Sequence, residues 1–332
     1  MIMIPDRSSR ARVPVAACIL ALVLFSAAFP AFAQTQVSVL CYHAFLDDVK
    51  KKDPYSFTLD ELASHINQLK NEGVRFVSAA DILSGRVTGN NNVLITVDDG
   101  HRSVHDAYRK VFRPNGIRPL LAIYPNVIGK KDYALTWEQL SELAASGCDI
   151  AAHGYYHLKI NQKLCDENPR YFRLEIYGSK KKLEEKLNRK ISLFVYPFGL
   201  RTDAGVRALK EAGYRCAFTI KRGGVTAPVP IGDAAFRLPR YMVTRGGWQY
   251  CFNQVMKNSK GMAAVSYADA RAPKNRARTA VRVERAGDGV LHASLTDAVV
   301  KRDEYPLEKV EKRLKPPTPR GKKKDEIKVA SI

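Results

Sequence analysis

The chain has 332 residues, with 54 Lys and Arg against 33 Asp and Glu, a formal net charge of +21. That excess favours an anionic partner, but no zinc-finger, recognition-helix or RNA-binding sheet motif accompanies it, so nucleic acid is not expected. Six cysteines without a CxxC spacing exclude a zinc ribbon or a thioredoxin-like redox site.

The first segment reads as an export signal. Arg7, Arg10 and Arg12 form a positive region, Val13 to Phe29 is almost continuously apolar, and Ala31-Phe32-Ala33 supplies a small-x-small cleavage pattern. Residues 1–33 are therefore expected to be removed, leaving an exported chain, periplasmic or extracellular, with no membrane span. Cys18 leaves with that segment. Of the remaining five, Cys41, Cys148 and Cys216 lie in or beside apolar strands and are expected to be buried.

Strand and helix signals then alternate. Val37 to Cys41 is an apolar, β-branched run that leads into Tyr42-His43. Thr58 and Glu61 have capping-box spacing and open a helix whose Leu62, Ile66 and Leu69 share one face before Gly73 stops it. Arg75 to Val77 reads as a short strand, and Ser78 caps a short helix through Leu83. Val93 to Val97 is a buried strand that runs into Asp98-Asp99-Gly100. A helix over Val104 to Phe112, a strand over Pro119 to Tyr124 and a second capping box at Thr136 and Gln139 follow. Asp149 to Ala152 is the strand that leads into His153-Gly154-Tyr155-Tyr156-His157. A long charged helix covers Arg170 to Asn188. Ile191 to Tyr196 leads into Pro197-Phe198-Gly199. A helix from Asp203 to Ala212, closed by Gly213, and a strand over Tyr214 to Ile220 complete the alternation.

Apolar strands between amphipathic helices predict a mainly parallel sheet covered by helices, a (β/α) barrel or an open doubly wound sheet. No phosphate-binding glycine loop follows the first strand, which argues against a nucleotide site. In a parallel barrel the carboxyl ends of the strands share one rim, so Tyr42-His43, Asp98-Asp99, His153 to His157 and the Pro197 turn converge there. Residues 34–258 are assigned to this domain. Residues 259–332 form a basic extension. A hairpin is expected from Thr279 to Val283 and Val290 to Leu295 about Gly287-Asp288-Gly289. From Pro306 onward the composition is that of a disordered tail.

Each motif alone is weak. Neighbouring strand residues face opposite sides, so one of the Asp98-Asp99 pair can bind a metal while the other takes a proton. HxxxH, if helical, puts two imidazoles one turn apart; with one Asp they make a set of two histidines and a carboxylate that leaves positions open. His101 and His105 have the same spacing and read as surface residues. Pro197 and Gly199 fix a backbone path able to aim the Phe198 N–H into a site.

Together the motifs resemble the polysaccharide deacetylase family, the NodB-like domains of carbohydrate esterase family four, over about Val37 to Thr244. Thr96-Val97-Asp98-Asp99-Gly100 stands for the first family motif, His153 to His157 for the second and Pro197-Phe198-Gly199 for the end of the third. Thr136 to Leu140 and the Ser179 to Glu184 stretch add to the likeness. The resemblance implies a distorted (β/α) barrel and a divalent metal, Zn²⁺ ahead of Co²⁺ or Ni²⁺, held by Asp99, His153 and His157. It makes Asp98 the general base. Tyr42-His43 matches the layout of exopolysaccharide deacetylases acting on poly-N-acetylglucosamine, with His43 as the acid. No Leu-x-Leu-His motif completes the domain, and His292 is the one histidine after His157. Three positions depart from the family: Val97 for Phe, Gly154 for Ser or Thr, and Val195-Tyr196 where relatives place an arginine. Arg240, in Arg237-Leu238-Pro239-Arg240, is the substitute assigned to the base. The implied function is N-deacetylation of a GlcNAc-containing polysaccharide, with the basic extension touching an anionic cell envelope. The alternatives are an O-acetyl polysaccharide esterase and a catalytically silent glycan-binding domain.

Overall fold

The computed structural model describes residues 35–48 and 53–260. The expected signal segment and the extension beyond Lys260, with its hairpin and tail, lie outside the described residues.

The chain opens with β1 (Thr35–Tyr42), followed by the short β2 (Ala44–Phe45) and β3 (Ser56–Phe57). Helix α1 (Leu59–Asn71) starts at the expected capping box: the Thr58 hydroxyl accepts the Glu61 N–H at 3.1 Å, and the Glu61 carboxylate accepts the Thr58 N–H at 2.8 Å. Its Leu62, Ile66 and Leu69 are buried, as their spacing requires. Next come β4 (Arg75–Phe76), α2 (Ala79–Ser84) and β5 (Asn92–Asp98), which is buried throughout. Helix α3 (Ser103–Ala107) widens into a π turn over Tyr108–Phe112. Then β6 (Leu120–Ile123), α4 (Trp137–Ala145) and β7 (Asp149–Ala152) alternate.

The expected charged helix is composite. After α5 (Gln162–Glu167), α6 (Pro169–Arg173) passes through a π turn at Leu174–Gly178 into α7 (Ser179–Leu187). The remaining elements are β8 (Leu193–Val195), α8 (Asp203–Glu211), β9 (Cys216–Phe218), β10 (Gly224–Ala227), β11 (Tyr241–Met242) and α9 (Trp248–Ser259).

β2 and β3 pair separately, and the main sheet runs in the order β10-β1-β5-β6-β7-β8-β9. Every pairing from β1 through β9 along that path is parallel. At one end, β10 runs antiparallel to the first half of β1, and β11 runs parallel to its second half. At the other end, Leu238 bridges Phe218 of β9. Residues 238–242 thus reach from β9 to β1 and draw the curled sheet toward closure, giving the distorted (β/α) barrel. The carboxyl ends of β1, β5, β7 and β8 deliver His43, Asp98-Asp99, His153 and Tyr196-Pro197 to one rim.

Cys41, Cys148, Cys216 and Cys251 are buried, Cys165 is half-buried, and all five are free thiols. Among the described residues no helix is long and apolar enough to cross a membrane.

Candidate active site

Strand alternation selects the inward side chains. Cys41 and His43 share the parity that faces the barrel interior, whereas Tyr42 points into the helix layer. There its hydroxyl lies 3.2 Å from His65 Nδ1 and its ring packs on Phe57. On β5, Thr96 and Asp98 share the inner face, and both meet Arg240 from the closing segment. Arg240 donates to Thr96 Oγ1 at 3.0 Å and grips Asp98 bidentately, Nη1 to Oδ1 at 2.7 Å and Nη2 to Oδ2 at 2.9 Å. Arg240 is wholly buried and also donates from Nε to the Thr219 carbonyl at 3.0 Å. Burial pushes the Asp98 carboxyl up, but the Arg240 guanidinium, with His153 and His43, pulls it further down, so it lies below its ordinary value. The Cys41 thiol, raised well above its usual range by burial, stays protonated and lies 3.5 Å from Asp98 Oδ2.

The strand ends at Asp98, so the alternation ends there too. Asp99 takes φ 74° and Gly100 φ 69°, and this left-handed turn swings the second carboxylate back toward the same site. The expectation that the two carboxylates face opposite sides is corrected by that turn. Asp99 Oδ1 lies 3.5 Å from His153 Nε2 and 3.4 Å from His157 Nε2, and the two Nε2 atoms are 3.1 Å apart.

The HxxxH segment is a loop, not a helix: Gly154 has φ 74° and His157 φ 62°. The two imidazoles meet because the loop doubles back. His153 Nδ1 is 2.8 Å from the Val195 carbonyl and donates to it, which leaves Nε2 as the nitrogen facing His157 and Asp99. Burial pushes His157 down to about 4, so its ring is neutral near pH 7 and free to be a ligand. Burial also lowers His153, but the adjacent Asp99 and Asp98 carboxylates lift it above its ordinary value. Asp99 is raised by burial and more than compensated by the His157 and His153 partners, ending well below the ordinary range.

Three donor atoms of suitable chemistry therefore converge within 3.1–3.5 Å of one another, and Asp99 Oδ1 is buried without a hydrogen-bond partner. This donor set fits a divalent cation of the Zn²⁺ type. Cys41, His43 and Asp98 also cluster, but the guanidinium already occupies both Asp98 oxygens, which argues against a second metal there.

His43 lies beside Asp98, with its Nδ1 buried and unpartnered and its ring 5.4 Å from that of Tyr55. Phe198 has φ 58° in the turn after β8, and its ring lies 4.6 Å from His157. Of the four non-glycine residues with positive φ among the described residues, Asp99, His157 and Phe198 are at this site. Such strained residues concentrate where a geometry must be held.

Residues 85–217 match the family model described as polysaccharide deacetylase. The matched domain belongs to the polysaccharide deacetylase family. The poly-beta-1,6-N-acetyl-D-glucosamine N-deacetylase of Staphylococcus epidermidis is 24% identical over 246 residues, 66% of this chain and 82% of that protein. The structure of IcaB from Ammonifex degensii is 28% identical, covers 66% of this chain and 97% of its own, and has a TM-score of 0.57. The Streptococcus pyogenes deacetylase PplD, 18% identical over 68% of this chain and 99% of its own with a TM-score of 0.59, shares the fold.

The deacetylase domain departs from the family motifs at two points where the structure supplies a physical account. Tyr196 occupies the place of the expected arginine; it is buried, its hydroxyl donates to the Phe236 carbonyl at 3.2 Å, and Arg240 reaches Asp98 instead. At Gly154, an added Cβ would lie 2.2 Å from Glu175 Oε2. Sequence reasoning missed Glu175, a lone apparent surface acid in a charged helix, and Cys41, which reads as core. It also placed His101 and His105 at the surface. Both are half-buried, because His101 Nδ1 lies 2.8 Å from the Ser103 hydroxyl and His105 Nε2 lies 2.9 Å from Glu142.

Proposed function

We propose that this domain is a metal-dependent N-deacetylase of a GlcNAc-containing polysaccharide. The observation that carries the reading is the joint placement of two groups. Asp99, His153 and His157 offer three ligand atoms, and the Arg240-bound carboxylate of Asp98 lies beside them, its Oδ2 3.9 Å from His153 Nε2. A divalent cation held there would polarise the acetyl carbonyl and acidify a water. Asp98, kept ionised by Arg240, takes the proton of the attacking water at Oδ2. The Phe198 backbone N–H is assigned to the developing oxyanion. As the C–N bond breaks, His43 protonates the leaving amine, and the products are acetate and a free amino group.

The names of the relatives support an amide of N-acetylglucosamine over an ester. Acetate release from poly-N-acetylglucosamine, chitin oligomers, peptidoglycan and acetylxylan tests the choice. Release from the first three, with a gain of free amines, is expected. Release from acetylxylan alone would make the protein an O-acetyl esterase. No release from any polymer by metal-loaded protein would leave a silent glycan-binding domain.

The acid is tested separately. His43→Ala should lose more turnover on an amide than on an activated aryl ester, whose leaving group scarcely needs a proton. An equal loss on both would assign His43 to packing. Export rests on the signal-like residues 1–33, and N-terminal sequencing of the secreted protein beginning near Gln34 checks it. Contact with an anionic envelope rests on the basic extension, and salt should weaken it.

A further inference from the structure

The loop that carries both histidines is held from a neighbouring helix. Glu175 lies in the π turn between α6 and α7 and is wholly buried. Its Oε2 accepts the backbone N–H of Tyr155 at 3.0 Å and of Leu158 at 3.1 Å, and its Oε1 accepts that of Tyr156 at 2.8 Å. These three amides bracket His157. The same Oε2 stands where a side chain at Gly154 would have to go, 2.2 Å from an ideal Cβ. Its helix is pinned in turn, since the Ser179 hydroxyl donates to the Glu175 carbonyl at 2.6 Å and the Tyr214 hydroxyl to the Ile176 carbonyl at 3.0 Å. A π turn is an uncommon local widening, often found at functional sites, and this one directs the carboxylate into the loop.

We propose that Glu175 is the positioning residue of the metal centre: its carboxylate replaces the hydroxyl missing at Gly154 and sets His157 against His153 and Asp99. The physical reason is reach and the number of bonds. A carboxyl group accepting three backbone amides makes a multidentate anchor, with more acceptor sites along the loop than a single hydroxyl offers. It holds a loop in which Gly154 and His157 both adopt left-handed backbone. Ligand atoms 3.1–3.5 Å apart have little tolerance for a loop that drifts. The pairing also accounts for the glycine, because a Ser or Thr at 154 and Glu175 cannot occupy the same volume.

This inference rests on Asp99, His153 and His157 being a metal site, so the test reads metal affinity and not turnover. Zn²⁺ affinity of the full chain is measured by competition with a chromophoric chelator. Glu175→Gln puts an amide NH₂ against backbone N–H groups and should raise the Zn²⁺ dissociation constant about 10–100-fold, the usual cost of losing a group that orients a ligand. Gly154→Ala, which presses on the same carboxylate from the other side, should shift affinity in the same direction, and it decides the matter if the Glu175 variant does not fold. Tyr214→Phe is the control: it loosens the same helix, lowering the melting temperature while leaving Zn²⁺ affinity unchanged. Folded Glu175→Gln and Gly154→Ala proteins with wild-type affinity would overturn the proposal. So would a loss in Tyr214→Phe that tracks its melting temperature as the others do. Wild-type protein that binds no Zn²⁺ would instead bring down the metal centre itself, a result distinct from any variant's.

Discussion

Asp98 and Asp99 are neighbours with different surroundings, and their variants should separate. Asp98 is bound by Arg240 and buried within β5, while Asp99 sits in the left-handed turn facing two imidazoles. Asp98→Asn should lower turnover by ~10²–10⁴-fold with metal retained, the range expected for a general base. Asp99→Asn should instead reduce metal content. Metal analysis beside acetate release checks both, and the opposite pattern would exchange the two roles. The Arg240 contact makes a pH prediction. Burial raises the Asp98 carboxyl and the guanidinium more than cancels that effect, so the group works as a base down to unusually low pH. The contribution of this pair to stability is present above the unfolded Asp value and is lost as pH falls through the depressed folded one. Arg240→Gln removes the largest influence opposing burial. The acidic limb of the pH–rate profile should then move to higher pH, and stability should fall because a buried charge loses its partner, by about 3–5 kcal/mol. An unmoved acidic limb would mean that Asp98 is not the base.

At the scale of elements, most of the framework was legible and the loops were less so. The apolar runs of β1, β5, β6, β7 and β8 and the capping boxes at Thr58 and Thr136 are local signals, and each appears where the sequence places it. The strand-end motifs follow because a parallel barrel shares one rim. The path from His153 to His157 was not readable, because HxxxH has the same spacing in a helix and in this doubled-back loop. Glu175 was hidden because its role depends on a π turn and on a loop about twenty residues away, and neither has a local signature. Arg240 became visible only by resemblance, since nothing in Arg237-Leu238-Pro239-Arg240 shows that the segment closes a barrel. The turn after β8 gives a test at this scale. Gly199 has φ 67°, and a Cβ there would lie 2.2 Å from Ile220 Cγ1 and 2.8 Å from the Ile220 backbone nitrogen. Gly199→Ala should destabilise the fold by about 1–3 kcal/mol, as overpacking does. It should also lower turnover by moving Phe198 off His157. Thermal melts and rates measured together check this, and wild-type values in both would show that the turn yields freely.

The described domain joins the barrel to its rim in a way that would make a bound cation a structural partner. Asp99 follows β5, His153 and His157 follow β7, and the Val195 carbonyl that fixes His153 ends β8. A cation bound by these residues would tie the end of β5 to the end of β7 across β6 and bind the folded chain only, because no preformed site exists in the unfolded one. At free metal about 100 times the dissociation constant, linkage stabilises the folded state by ~2.7 kcal/mol. For a domain of this size that corresponds to a melting temperature about 5–10 °C higher with metal than after chelation. The effect should fade as pH falls, because protons compete for Asp99 and the two imidazoles. Since burial holds His157 near 4, its nitrogen stays available well below the pH at which an exposed histidine would be lost. His153→Ala should melt at the same temperature with and without chelator. Differential scanning calorimetry of the wild type and this variant, each with metal and with chelator, checks the prediction. A chelator shift that persists in His153→Ala would locate the stabilising ion away from this rim.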